Sequence, residues 1–279
     1  MNQLEEISNN PNPTFIFIDG SYFCFYRYHS LLTWWKNAYP DQLDQLQNPF
    51  QNQQFVEKFR KTFIDNIHNI PKKLKLHKSE KPIIIVGKDC KREHIWRNKL
   101  FPNYKANRVQ EGFMGGPFFK MVYNEDLFIQ GGAKTVLTHP HLEADDCIAI
   151  TVKHLLTKHP TCTIYIITSD KDYLQLAEDR VNIYNLAFKQ LTDQKTCSKN
   201  ASCDLFCKIV TGDTSDNIPS VFPKCGPKTA LKYFENRELF KQKLLEQESF
   251  RKQYELNRTL IDFNYIPKYL VNEFMNTLC

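Results

Sequence analysis

Residues Phe15 to Asp19 read FIFID, four apolar residues closed by an aspartate, and the phrase returns as IIIVGKD (Ile83 to Asp89) and IYIITSDKD (Ile164 to Asp172). Short runs rich in Ile, Val, Phe and Tyr have the length and composition of strands. Two more such runs lie at Thr135 to Leu137 and Val181 to Tyr184, with helical patterns between most of the five. Strands alternating with helices predict an α/β fold with a parallel sheet. One helix is expected over about Ala144 to His159, where Ile148, Val152, Leu155 and Leu156 form an apolar stripe that Pro160 ends. Another is expected where Phe55, Phe59, Phe63 and Ile67 recur at i, i+4 before Pro71. After Tyr184 the strand signals fade. The expected organisation is therefore a polar, flexible leader over 1–13, an α/β core over 14–202 and a helical region over 203–279, broken by a Gly/Pro-rich knot between Gly212 and Gly226. The Gln-rich stretch from Asp41 to Gln54 reads as an exposed connection.

Composition narrows the classes. Hydrophobic residues at 42% and charged residues at 24% exclude a disordered or fibrous chain. No apolar run approaches the roughly 18 residues of a membrane span, and the first thirteen residues lack the apolar segment of a signal peptide. Nine scattered cysteines, an odd number without a C-x-x-C pair, suit an intracellular, reducing compartment. Cys197, Cys203 and Cys207 are spaced unlike a zinc site and have no histidine nearby. The net charge of +6 points toward a polyanionic partner.

In a parallel sheet the carboxyl ends of all strands lie along one edge, so Asp19, Asp89, Asp170 and Asp172 are expected there together. HLEADD adds Glu143, Asp145 and Asp146 at a helix N-terminus, and GDTSDN adds Asp213 and Asp216. Taken singly, each is equally an ordinary turn residue or N-cap. Nine carboxylates on one edge would repel within about 4 to 6 Å, so a cation is required among them. Oxygen donors throughout select Mg²⁺ or Mn²⁺ over Zn²⁺. Their number suits two ions about 3.5 to 4 Å apart. WRNKLFPNYKANR, from Trp96 to Arg108, mixes Arg97, Lys99, Lys105 and Arg108 with aromatics. It reads either as a phosphate-holding, base-stacking segment or as an amphipathic helix with a solvated face.

Together these motifs resemble the 5′ nuclease superfamily: flap endonucleases, bacteriophage 5′ exonucleases and the 5′ to 3′ exonuclease domain of DNA polymerase I. FIFIDG, WRNKLFPNYKANR, LEADD, TSDKDYLQL, GDTSDNIP and CGPKTA follow the family's order, and NRTLIDFNYIP (Asn257 to Pro267) is similar to its closing segment. The resemblance implies a PIN-like, mostly parallel sheet flanked by helices, with a helix-hairpin-helix type DNA-binding motif over 212–230. It implies a metal-dependent, structure-selective 5′ nuclease, working as a monomer on DNA with 5′ ends, flaps or nicks. By position, Asp19, Asp89, Glu143 and Asp145 would surround one ion with Asp146 close by, and Asp170, Asp172 and Asp213 a second, with Asp216 in its outer shell. Arg97 and Lys105 would reach the scissile phosphate, with Tyr104 near the departing nucleotide. Arg108, Ser220, Lys224, Gly226, Lys228 and Thr229 would contact DNA. The stretch 109–137 takes the place of the arch, which five glycines would let order only on binding.

The family hairpin reads P-G-V-P-G-V-G where this chain has PSVFPKCG, Pro219 to Gly226. Ser220 and Lys224 stand where two glycines are expected, so Lys224 reads either as a phosphate contact in place of the family's K⁺ or as a solvated lysine on a widened turn. Two rivals differ in kind: a module that holds branched DNA without cutting, which would tend to lose the carboxylates, and a PIN-like ribonuclease, which would lack the hairpin.

Overall fold

The computed structural model describes residues 12–41, 46–77, 80–108 and 112–278; the expected leader lies outside them except for its last two residues. In chain order the elements are β1 (Thr14–Asp19), α1 (Gly20–Ala38), α2 (Gln53–His68), α3 (Ile70–Lys73), β2 (Ile83–Gly87), α4 (Gly116–Asn124), α5 (Leu127–Gln130), β3 (Ala133–Leu137), α6 (Ala144–Lys158), β4 (Thr163–Ile167) and β5 (Val181–Tyr184). Helices follow: α7 (Ala201–Thr211), α8 (Pro227–Glu235), α9 (Arg237–Leu245), α10 (Glu248–Ile261) and α11 (Lys268–Leu278). The five strands form one parallel sheet in the order β3-β2-β1-β4-β5. Phe15, Ile16, Phe17 and Ile18 are wholly buried, because central β1 is covered on both faces and so needs no polar alternation. The chain steps outward from β1 to β3 on one side, then crosses back to lay β4 and β5 on the other. The reversal between β1 and β4 opens a crevice beyond their carboxyl ends.

Phe15, Phe17 and Ile85 pack against α6, and Ile16, Ile18 and Val86 against α1, α2, α4 and α5. Helix α1, which the sequence reading did not anticipate, starts where β1 ends and runs 19 residues. It is nucleated by Asp19, whose carboxylate accepts from Tyr22 N at 3.0 Å.

Two expectations are corrected. The stretch 109–137 does not wait for a ligand over residues 112–137: Phe118, Val122, Leu127 and Phe128 are buried and β3 closes the sheet, so hydrophobic burial orders it. Nor is 203–279 one unit. Phe263 and Ile266, and with them Leu270, Phe274 and Leu278, an i, i+4 stripe on α11, return to the core beside Phe15 and Phe17. Helices α7 to α10 keep a separate small core around Phe206, Val210, Phe222 and Phe240. Among the described residues no helix is long and apolar enough to cross a membrane.

Candidate active site

Asp19, Asp89, Glu143, Asp145 and Asp170 line one cavity of about 240 Å³ at the crevice between β1 and β4. Asp19 ends β1 and caps α1. Asp89 accepts from Ser21 Oγ at 2.5 Å and from Ala144 N at 2.8 Å, tying the loop after β2 to the first turns of α1 and α6. That approach needs a glycine: a Cβ on Gly87 would lie 2.8 Å from Ala144 O. Glu143 caps α6. Asp170 follows β4, its N–H held by Thr168 Oγ1 at 3.1 Å and its carboxylate accepting from Asp172 N at 2.9 Å.

Burial and then the neighbouring Asp89 push Asp19 up to about 7. Burial, Asp146 and Glu143 raise Asp145 well above the usual carboxylate range. Asp170 is raised by burial against the opposing pull of Lys208. Carboxylates crowded in this way hold protons unless a cation joins them. The oxygens of Glu143, Asp145 and Asp146 come within 4.8 Å of one another, as do those of Asp172, Asp213 and Asp216.

Arg97 and Tyr104 stand apart from their expected roles, and Asp146 is paired with Arg97. The Arg97 guanidinium is 3% exposed and does not face the cavity. It donates through Nη2 to Asp146 Oδ1 at 2.7 Å, through Nη1 to Asp146 Oδ2 at 2.8 Å and Glu143 Oε2 at 2.9 Å, and through Nε to Leu260 O at 2.7 Å. Asp146, wholly buried, accepts from Arg97 through both oxygens and, at Oδ2, from Trp96 Nε1 at 2.9 Å and Glu143 N at 3.2 Å. Tyr104 is 5% exposed, too buried to stack on a base, with its hydroxyl 3.0 Å from Glu143 Oε2 and 3.1 Å from Asp216 Oδ2. All three are folded under the site because removing two carboxylates from water demands an equally buried partner.

Lys105 and Arg108 do line the cavity. Lys105, in the left-handed region at φ 56, pairs with Glu143 and lies 3.7 Å from Asp216 Oδ2; Arg108 Nη2 sits 2.5 Å from Asp216 Oδ1. A strained φ of this kind persists where surroundings fix it, here by Lys105 N donating to Asp216 O at 2.9 Å.

Asp172 and Asp213 bring in a residue that the sequence reading missed. Lys208 on α7 pairs with Asp172 and lies 2.8 Å from Asp213 Oδ2. Against the burial that would raise it, Lys208 and Ser215 hold Asp213 down to about 2. Asp170, Asp213 and Lys208 line a second cavity of about 820 Å³, which meets the first at Ser169 and Asp170. The only linear signal for Lys208 is its place on the helix leading into GDTSDN.

Between α7 and α8 the turn begins at Gly212, at φ 73, where a Cβ would meet Ile218 O at 2.4 Å. Asn257, wholly buried and also missed, donates to Ile209 O at 2.9 Å and Pro219 O at 2.8 Å, fastening α10 to this turn. Ser220 spends its hydroxyl on Phe222 O at 2.9 Å. Lys224, at φ 56, Lys228 and Thr229 are exposed around Gly226, the N-cap of α8.

A family model described as the 5′-3′ exonuclease N-terminal resolvase-like domain matches residues 14–203. A 5′-3′ exonuclease of Buchnera aphidicola is 35% identical over 176 residues, 60% of this chain and 55% of that protein. DNA polymerase I of Treponema pallidum is 34% identical over 144 residues, 48% of this chain and 14% of that protein. The chain thus spans about half, or less, of these relatives' lengths. A bacteriophage T5 flap endonuclease, solved as a pseudo-enzyme-product complex with DNA and metal ions, shares the fold with a TM-score of 0.62 at 16% identity, over 95% of this chain and 97% of that one.

Proposed function

The chain belongs to the 5′-3′ exonuclease family of the 5′ nuclease superfamily, and from that premise we propose that it is a metal-dependent 5′ nuclease that hydrolyses phosphodiesters of DNA at flaps, nicks and 5′ ends. The observation that carries this reading is the convergence of Asp19, Asp89, Glu143, Asp145 and Asp170 on one cavity at the reversal of the sheet. The raised Asp19, Asp145 and Asp170 mark a donor set that fits a cation, and oxygen ligands alone fit Mg²⁺ or Mn²⁺. Asp19, Asp89, Glu143 and Asp145 would hold one ion; Asp170, Asp172 and Asp213 a second, with Asp216 linking the two groups through Tyr104 and Lys105. Bound there, such ions supply Lewis acidity and lower the pKa of an attacking water.

The chain's own groups do the rest. Lys105 and Arg108 face the cavity with cationic groups that can meet a phosphate as its charge grows. Arg97, with Trp96 and Tyr104, holds Glu143 and Asp146 in place, a positioning role. Lys224, Lys228, Thr229 and the N-terminus of α8 present donors for duplex phosphates without reading bases, and Lys224 takes the part of a hairpin K⁺. Selectivity then follows from the shape of the DNA. We place the protein in a reducing, intracellular setting as a monomer.

Labelled flap, nicked, blunt and circular single-stranded DNAs, with an RNA-strand arm, test the reading in Mg²⁺, Mn²⁺ and EDTA. Flap and 5′-end cleavage should require a divalent ion and disappear in Asp145→Asn, with branched-DNA binding largely retained. Cutting that survives EDTA, or that persists in Asp145→Asn, would refute it.

A further inference from the structure

We propose that Lys208 and the second divalent ion are alternative occupants of the Asp172–Asp213 pair, and that ion entry turns the ammonium into the adjoining cleft as a phosphate contact. The inference rests on the reading of these carboxylates as a metal centre. Lys208 Nζ contacts Asp172 and lies 2.8 Å from Asp213 Oδ2. One oxygen from each of Asp172, Asp213 and Asp216 comes within 4.8 Å of the others. A divalent ion ligated by the same oxygens at about 2.1 Å would occupy the space that the ammonium fills. Two cations so close repel, and one pair of oxygens cannot serve both.

The two carboxylate groups are built unequally. In the first, only Glu143 pairs with Arg97 and Lys105, and among the described residues no salt bridge reaches Asp19 or Asp145. In the second, the Lys208 ammonium bridges Asp172 and Asp213 at once. A divalent ion therefore enters the second group against a tethered ammonium that already touches both carboxylates. The lysine has somewhere to go: it lines the 820 Å³ cleft with Lys171, Thr211, Thr214 and Ser215. Its flexible four-carbon stem lets the charge swing without moving α7. Second-ion binding and phosphate binding become linked, since the ion puts a positive charge where the strand would pass.

Mn²⁺ binding to the full chain without DNA, followed by electron paramagnetic resonance and calorimetry, tests this in the wild type and Lys208→Met. The wild type should show a tighter and a weaker class of site. In Lys208→Met the weaker class should tighten at least about tenfold, as loss of a like charge at contact distance requires, with the tighter class unchanged. Thermal midpoints guard against a merely misfolded variant: Lys208→Met should melt below the wild type in EDTA and above it in saturating Mn²⁺. A second class that is unchanged or weaker in Lys208→Met, or a variant less stable under both conditions, overturns the inference while leaving the metal centre standing. A wild type that binds no Mn²⁺ overturns both.

Discussion

Replacing Arg97 by alanine separates a guanidinium that touches phosphate from one that holds carboxylates together. The side chain is 3% exposed, and its removal leaves Asp146, wholly buried, with only Trp96 and a backbone N–H as donors; Glu143 keeps Lys105. Breaking a buried ion pair by deleting one partner costs about 3 to 5 kcal/mol. For a chain of 279 residues, at about 2.1 cal/mol/K of unfolding entropy per residue, that corresponds to a fall in melting temperature of roughly 5 to 9 °C. Circular dichroism melts and urea midpoints in EDTA read this without reference to cleavage. A double variant, Arg97→Met with Asp146→Leu, should recover much of the loss, because the Asp146 carboxylate is then no longer buried without its partner while Glu143 keeps Lys105. If Arg97→Ala melted within about 2 °C of the wild type yet lost single-turnover cleavage by the 10²- to 10³-fold expected of a deleted transition-state donor, the guanidinium would be acting on phosphate and the positioning argument would fail.

Three further outcomes follow from the same geometry. In EDTA, Asp19 keeps a proton that the unfolded carboxyl releases near pH 4, so its contribution to stability should fall as pH rises from about 4 and level off above about 7. At about 1.36 kcal/mol per unit the shift bounds this loss at about 4 kcal/mol, and a pH profile unchanged in Asp19→Asn would contradict it. Lys224→Ala should flatten the plot of log duplex affinity against log salt by about 0.9, with the wild type indifferent to K⁺ against Na⁺ at fixed ionic strength; Lys228→Ala should flatten the slope alike, and a strong K⁺ requirement would restore an ion to the hairpin. Asn257→Leu strands the carbonyls of Ile209 and Pro219 at about 1 to 3 kcal/mol each, so duplex affinity should drop as the turn loosens while Mn²⁺ affinity holds, which paired titrations would check.

The sheet and its acidic edge were legible because the signal is local: an apolar run says strand, the aspartate behind it says carboxyl end, and parallel topology does the gathering. Helix α1 was hidden by its own composition, since the aromatic residues of SYFCFYRY favour strands and its cap, Asp19, doubles as a site residue. The basic and aromatic residues of WRNKLFPNYKANR were legible as a set, but their direction was not. Arg97 and Tyr104 face inward because their partners, Glu143, Asp146, Asp216 and Leu260 O, lie far along the chain. Lys208 escaped notice for the same reason. Its pair with Asp172 exists only once α7 has packed on the loop after β4, and no spacing rule reports that.

The return of α11 to the sheet bears on how the protein comes into being. Phe15 and Phe17, among the first described residues, share a core cluster with Phe274 and Leu278, among the last. Contacts of such long sequence separation close slowly, after the entropy of a very large loop has been lost. On the ribosome the face of β1 that carries Phe15 and Phe17 can thus pack on α6 but lacks α11 until that helix has emerged, which leaves part of it open to chaperones and to aggregation. Shielding of that strand should accordingly come late, once the apolar residues of α11 have packed.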